Sequence, residues 1–282
     1  MHDVQWIDLD GVVNMRDLGG LPTLDGGVIA PGRVIRSDNL QDLPAESVRR
    51  LVDDLGLTDV VDLRTFVEVA MEGDGPLRAR ADVRHHHFTL YPEDSPESGI
   101  PAGERELPWV GDPELADPVS GPTASAGAAV SNRPAGRAHD HDTYWSEHYL
   151  RYLTMRPDSV LGALRAIAAS PGAVVVHCAA GKDRTGTVIG LALKVAGATD
   201  EAVVADFETS AQRVPQILAR LSGRPAYSVN LTGKTVAQQS PRGETMRLLL
   251  EALEVYHGGA LGWLTGHGWT AQDTDRLRRK LR

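Results

Sequence analysis

Five residues, Ala173 to His177, constrain the fold more tightly than any other part of this chain. The run carries three successive valines, so an extended strand here offers no polar face to water and must be covered on both sides. Thr185 to Ala196, beyond a short loop containing Gly181, has helical spacing. A buried strand feeding a helix is the unit of an α/β fold, expected here as a mainly parallel central sheet flanked by helices. The same alternation runs through the region before Pro92. Gly32 to Ile35 and Asp59 to Leu63 read as strands, and Val83 to Leu90 supplies a further one. Between the first two, Pro44 to Leu55 puts Val48, Leu51, Val52 and Leu55 on one helical face, with Pro44 near the start and Gly56 just past the end.

From Pro92 to Asp142 the pattern gives way to Pro, Gly, Ala, Ser and charge, which reads as a flexible insertion within a single domain spanning the chain. Thr143 to Met155 and Pro157 to Ala169 then resume helical spacing, and Pro171 with Gly172 marks the turn before the central strand. The C-terminal part reads as helical over Thr199 to Glu208, Val214 to Leu221 and Ser240 to Tyr256, the last opening with Ser240 as cap and Pro241 as first helical residue. Thr270 and Asp273 form a capping box for the final helix, against which Trp263 and Trp269 are expected to pack.

Composition closes off several roles. A net charge of -9 excludes a general nucleic-acid binder, so any anionic ligand must be met by a local site. No stretch approaches the ~18 apolar residues of a membrane span, and Met1 to Asp10 lacks the basic start and apolar run of a secretory signal. The expectation is a chain without integral membrane insertion, cytoplasmic or exported without a cleaved signal peptide. One cysteine leaves no internal disulfide and no multi-cysteine metal site.

That cysteine lies in His177, Cys178, Ala179, Ala180, Gly181, Lys182, Asp183, Arg184, Thr185, Gly186, between the strand and the helix. Attack on a phosphate ester by sulfur needs a thiolate, whereas a free cysteine ionises near pH ~8.5. N–H groups curling around the sulfur, the positive end of the helix and the Arg184 charge all favour the ionised form. Gly181 permits the tight curvature, and the N–H groups of Ala179, Ala180, Gly181, Lys182, Asp183 and Arg184 would form a nest for phosphate oxygens. Arg184 can grip two oxygens at once. His177 would fix the loop, and the Thr185 hydroxyl would hydrogen-bond the sulfur and ease its departure. This chemistry requires no metal and no organic cofactor. The general acid is either Asp183, inside the loop, or Asp94, beyond the Val83 to Leu90 strand. Lys182 adds a second cation beside Arg184, which suits polyanionic substrates.

The decapeptide resembles the active-site loop of protein tyrosine phosphatases, in which Cys, five residues, Arg and Ser or Thr form the reactive cradle. Asn14 to Gly20, Asp62-Leu63-Arg64 with Glu68, the triplet Lys182-Asp183-Arg184, and Ala205-Asp206-Phe207 resemble the tyrosine phosphatase B family of bacteria. The resemblance implies a phosphotyrosine-directed phosphatase with a phosphocysteine intermediate, a helical lid over about residues 213–250, and an acidic residue in the loop, favouring Asp183. It also implies phosphoprotein or phosphoinositide substrates, with phosphoserine and phosphothreonine as further possibilities. A sulfur transferase, an arsenate reductase and a catalytically inactive phospho-ligand binding module are the rival readings; an arsenate reductase would need further cysteines to resolve its intermediate, and intact Cys178 and Arg184 with Thr185 and Gly186 favour ester cleavage. Asn14, Arg16 and Asp17 belong either to the site rim or to a turn before Gly19. Asp62 and Arg64 are expected to pair at a strand end. His85, His86 and His87 alternate faces of a strand and cannot converge on a metal. His139 and His141 receive no role.

Overall fold

The computed structural model describes residues 3–92, 107 and 141–282. Among these, β1 (Gln5–Trp6), β2 (Arg16–Asp17), β3 (Val34–Ser37), β4 (Leu57–Asp62), β5 (Arg84–His87) and β6 (Ala173–His177) form one sheet in the order β1-β2-β3-β6-β4-β5. β1, β2 and β3 pair antiparallel, and β3, β6, β4 and β5 run parallel. The register sets Ser37 and Asp62 level with His177 on either side, so three strands end together where the cysteine loop begins. In parallel sheets that carboxyl edge is where ligands bind.

The helices are α1 (Ala45–Arg49), α2 (Phe66–Glu72), α3 (His141–Met155), α4 (Pro157–Ala169), α5 (Asp183–Ala196), α6 (Asp200–Thr209), α7 (Val214–Leu221), α8 (Ser228–Leu231), α9 (Val236–Gln239), α10 (Gly243–His257), α11 (Gly259–Gly266) and α12 (Ala271–Leu281). β6 serves two cores because successive side chains point to opposite faces. Val174 and Val176 join the larger one with Leu164, Ile189, Leu249 and Trp263, while Val175 joins Ile35, Leu51 and Val60 in the smaller. Each of these buried valines contributes about 1.5 kcal/mol of apolar burial. Trp263 and Trp269 both belong to the larger core, as their place near the terminal helices suggested.

Several boundaries differ from the sequence reading, each for a local reason. The helix after the cysteine loop starts at Asp183 rather than Thr185, because Lys182 O accepts from Gly186 N and draws the preceding turn into the helix. The long C-terminal helix opens at Gly243, not Pro241; Ser240 instead ends α9, its hydroxyl donating back to Val236 O. The helix from Pro44 runs as α1 and then widens to π geometry over Arg50–Asp54, with Gly56 at φ 68° just beyond. α2 went unread, although its capping box of Thr65 and Glu68 is complete. At the C-terminus, Thr270 and Asp273 cap α12 as expected. Nearly all of the Pro92 to Asp142 insertion, and with it Asp94 and His139, lies outside the described residues.

Candidate active site

The loop from Cys178 to Lys182 is shaped from behind. Asn39 N–H donates to Ala179 O at 2.9 Å, Asn14 Nδ2 to Ala180 O at 2.9 Å, and Arg36 Nη2 to Gly181 O at 2.7 Å. In a planar trans peptide the N–H points opposite its C=O. Fixing these carbonyls therefore turns the N–H groups of Ala180, Gly181 and Lys182 to the opposite side of the loop, away from Asn39, Asn14 and Arg36. Gly181 sits at φ 67°, and a Cβ there would lie 2.3 Å from Ser37 O, so only glycine fits.

The clamp is itself held by a buried charge cluster. Asp206 of α6 receives Arg16 Nε at 2.9 Å and Arg36 Nη1 at 2.5 Å, and Arg16 Nη1 donates to Asn14 Oδ1 at 2.8 Å. Burial opposes ionisation of Asp206, but the two guanidinium groups outweigh it and hold the carboxyl below its usual range. Burial, with repulsion from Arg36, lowers Arg16 to about 10, still charged at neutral pH. Asn14 and Arg16 thus serve the loop, whereas Asp17 ties the turn, accepting from Gly19 N and Gly32 N. Asp62 and Arg64 pair at the end of β4 at 2.6 Å, as expected.

Arg184, in the first turn of α5, meets fully buried Glu68 through two contacts of 2.5 and 2.9 Å. Burial works against both charges, yet mutual attraction keeps the guanidinium well above its ordinary range and the carboxyl below it. The fork is aimed by α2, whose capping box fixes Glu68 through Thr65. Asp183 accepts from the Tyr149 hydroxyl at 2.5 Å. Burial, followed by the Asp183 charge, pushes the Tyr149 phenol well up, so it remains a donor. His177 Nδ1 lies 3.2 Å from Cys178 O, and burial lowers the ring to about 4, leaving it neutral near pH 7. Lys182 Nζ donates to Gln239 O of α9 at 2.6 Å. The expected bond from Thr185 to sulfur is not formed: its hydroxyl, in the first turn of α5, is buried with no hydrogen-bond partner among the described residues.

Cys178 is 2% exposed and lines a cavity of about 150 Å³. Tyr91, Trp145 and Tyr152 line it together with Ile217, Leu221 and Tyr227 from α7 and the segment after it. The lining reaches Gln239, whereas Met246, Leu249 and Leu253 of α10 pack in the larger core. Of the supporting residues, Arg36 and Tyr149 carried no motif to announce them. Glu68 did, through its capping box.

A mainly parallel sheet ending in a cysteine cradle with a paired arginine defines a phosphate-ester enzyme of the protein tyrosine phosphatase type. The chain belongs to the tyrosine phosphatase family, whose family model matches residues 7–282. It is 28% identical over 286 aligned residues to the triple specificity protein phosphatase PtpB of Mycobacterium tuberculosis, covering 96% of this chain and 97% of that one. Over 148 residues it is 30% identical to a tyrosine-protein phosphatase of Nostoc commune, covering 48% of each chain. It is accordingly a PtpB-like protein-tyrosine phosphatase. No helix among the described residues is long and apolar enough to cross a membrane.

Proposed function

We propose that this phosphatase hydrolyses phosphotyrosine-type monoesters through a phosphocysteine on Cys178. The observation that carries the reading is the cavity, which brings aromatic rings and branched aliphatic side chains together with Cys178, Asp183 and Arg184. Such a lining suits an aryl group that carries a phosphate. In the first step Sγ attacks phosphorus, the S–P bond forms and the ester P–O bond breaks. The loop N–H groups and Arg184 hold the equatorial oxygens. Asp183, oriented by Tyr149, gives its proton to the departing phenolate oxygen. In the second step Asp183 takes a proton from water as the water oxygen attacks phosphorus, and the S–P bond breaks to release inorganic phosphate and thiolate.

The helices α7, α8 and α9 act as the lid, since Ile217, Leu221, Leu231 and Gln239 from this stretch line the cavity that holds Cys178. Phosphoserine, phosphothreonine and phosphoinositides are further substrates on this reading. Lys182, once free of Gln239, supplies a second cation for a polyanionic head group. The mycobacterial relative's designation as a triple specificity phosphatase accords with this breadth.

The test is phosphate release from p-nitrophenyl phosphate, phosphotyrosine and phosphoserine peptides and phosphoinositides, with a metal chelator present, for the native chain and Cys178→Ser. Chelator-resistant turnover lost in the variant supports the thiolate route. Turnover that persists in the variant refutes it, and bound phosphate analogue without turnover points to a binding module. Asp183→Asn with an unaltered rate and pH profile would remove Asp183 from its role.

A further inference from the structure

Between Ser210 and Arg242 the chain carries Arg213, Arg220, Arg224, Lys234 and Arg242 and not one Asp or Glu, in a protein of net charge -9. Most of these cations meet carboxylates of the body. Arg213 pairs with Asp8 at 3.0 Å, Arg220 with Asp38 at 2.5 Å and Asp42 at 3.0 Å, Arg224 with Asp42 and with Glu72 at 2.7 Å, and Arg242 with Asp142 at 3.6 Å. An ionic seam thus holds the covering helices down.

The seam is not uniform. Arg213 meets Asp8 at the surface, where Asp8 is 79% exposed and the pair contributes little. Asp38 is 1% exposed, and its Oδ1 accepts from the backbone N–H of Val13 at 3.1 Å and of Asn14 at 3.0 Å. Asn14 clamps Ala180 O, Asn39 clamps Ala179 O, and Gly181 seats against the Ser37–Asp38 peptide. Asp38 is therefore central to the floor of the cradle while its other oxygen grips Arg220 of α7. Glu72 repeats the pattern: it receives Arg224 and the N–H of Ala226, one turn along α2 from the Glu68 that holds Arg184.

We propose that Asp38 and Arg220 are positioning residues that make the cradle's geometry depend on the seating of α7, an inference that rests on reading the Cys178 loop as the catalytic cradle. With α7 seated, Arg220 balances a buried carboxylate whose remaining contacts fix Asn14, and the N–H groups hold their arrangement. When α7 lifts, that carboxylate loses its counter-charge, and the loop of Ser37, Asp38 and Asn39 slackens together with Asn14. Covering the substrate and tightening the cradle become one event.

The experiment compares Arg220→Gln, Asp38→Asn, their double variant, Arg220→Lys, and Arg213→Gln as a reference that removes only a surface ion pair of the same stretch. Asparagine keeps an oxygen for Val13 and Asn14 and gives up the charge. Hydrogen exchange of the amides of residues 179–184 and of α7 is read beside steady-state turnover of p-nitrophenyl phosphate. Arg220→Gln and Asp38→Asn are expected to speed exchange in both segments and lower kcat about tenfold with KM within about twofold, and the double variant to be no worse than the weaker single. Arg220→Lys should recover most of kcat, while Arg213→Gln leaves kcat and the loop amides unchanged. Unchanged loop amides in Arg220→Gln, additive single effects, or an equal loss in Arg213→Gln would overturn the coupling. Should Asp38→Asn fail to fold, the Arg220 pair decides alone. Responsive loop amides without Cys178-dependent turnover would sink the proposed chemistry and leave the coupling standing.

Discussion

Glu68 offers the sharpest single test of how the cradle is built. Replacing it by glutamine keeps the length and the oxygen that accepts from Thr65 N–H, so the start of α2 stays capped. What changes is the double contact with Arg184, now 2.5 and 2.9 Å, in which one oxygen becomes an NH₂ facing the NH of the guanidinium. Glu68 is fully buried, so water does not replace the lost partner. The loss of one charge-assisted bond and of the compensating charge costs about 3 kcal/mol. For a chain of this size that lowers Tm by about 5 °C. Arg184 also loses its aim, and kcat on p-nitrophenyl phosphate should fall about 100-fold with a smaller change in KM. Thermal unfolding by circular dichroism and steady-state kinetics check both numbers. Glu68→Ala, which surrenders the cap as well, should lose roughly 1 kcal/mol more. A glutamine variant with native Tm and native kcat would refute the claim that this pair organises the site.

Two further outcomes follow from the same geometry. Gly181→Ala places a methyl against Ser37 O at a positive φ, so kcat should drop at least ~100-fold while far-ultraviolet circular dichroism stays native. His177 is buried and neutral, with its ring lowered to about 4. The unfolded chain therefore binds the extra proton first, and the stability present above about pH 6.5 is lost as pH falls toward 4, by about 3 kcal/mol. Urea titrations at pH 7 and 4.5 should show this slope, and His177→Gln should flatten it.

The sequence disclosed what depends on short-range pattern. Ala173 to His177 was legible as a central strand because its valines leave no face for water, and α12 because Thr270 and Asp273 spell out its cap. The cysteine loop was legible because glycine, cysteine and arginine sit at fixed offsets within ten residues. What stayed hidden depends on tertiary partners. β1 and β2 are two residues each, too short to show alternation, and exist because β3 offers an edge. Arg36 looks like any strand arginine until Asp206, 170 positions later, arrives beside it. Tyr149 gives no local sign that it will meet Asp183. Ser240 and Pro241 carry a sound helix-start signal, but the turn of α9 claims Ser240 and pushes the start to Gly243. Asn14 could not be divided between rim and turn from sequence alone, since the carbonyl it holds lies 166 residues away.

The fixed carbonyls of the loop bear on how inactive relatives would be told from active ones. A search for the ten-residue signature accepts any chain that keeps Cys178 and Arg184. Yet the loop and its arginine are held by the side chains of Asn14, Arg36 and Glu68, all within the first 70 residues. A descendant could keep the signature letter for letter and lose hydrolysis through a change at any of these three. Decay of function in this lineage should be sought first in the N-terminal third, where a signature search never looks.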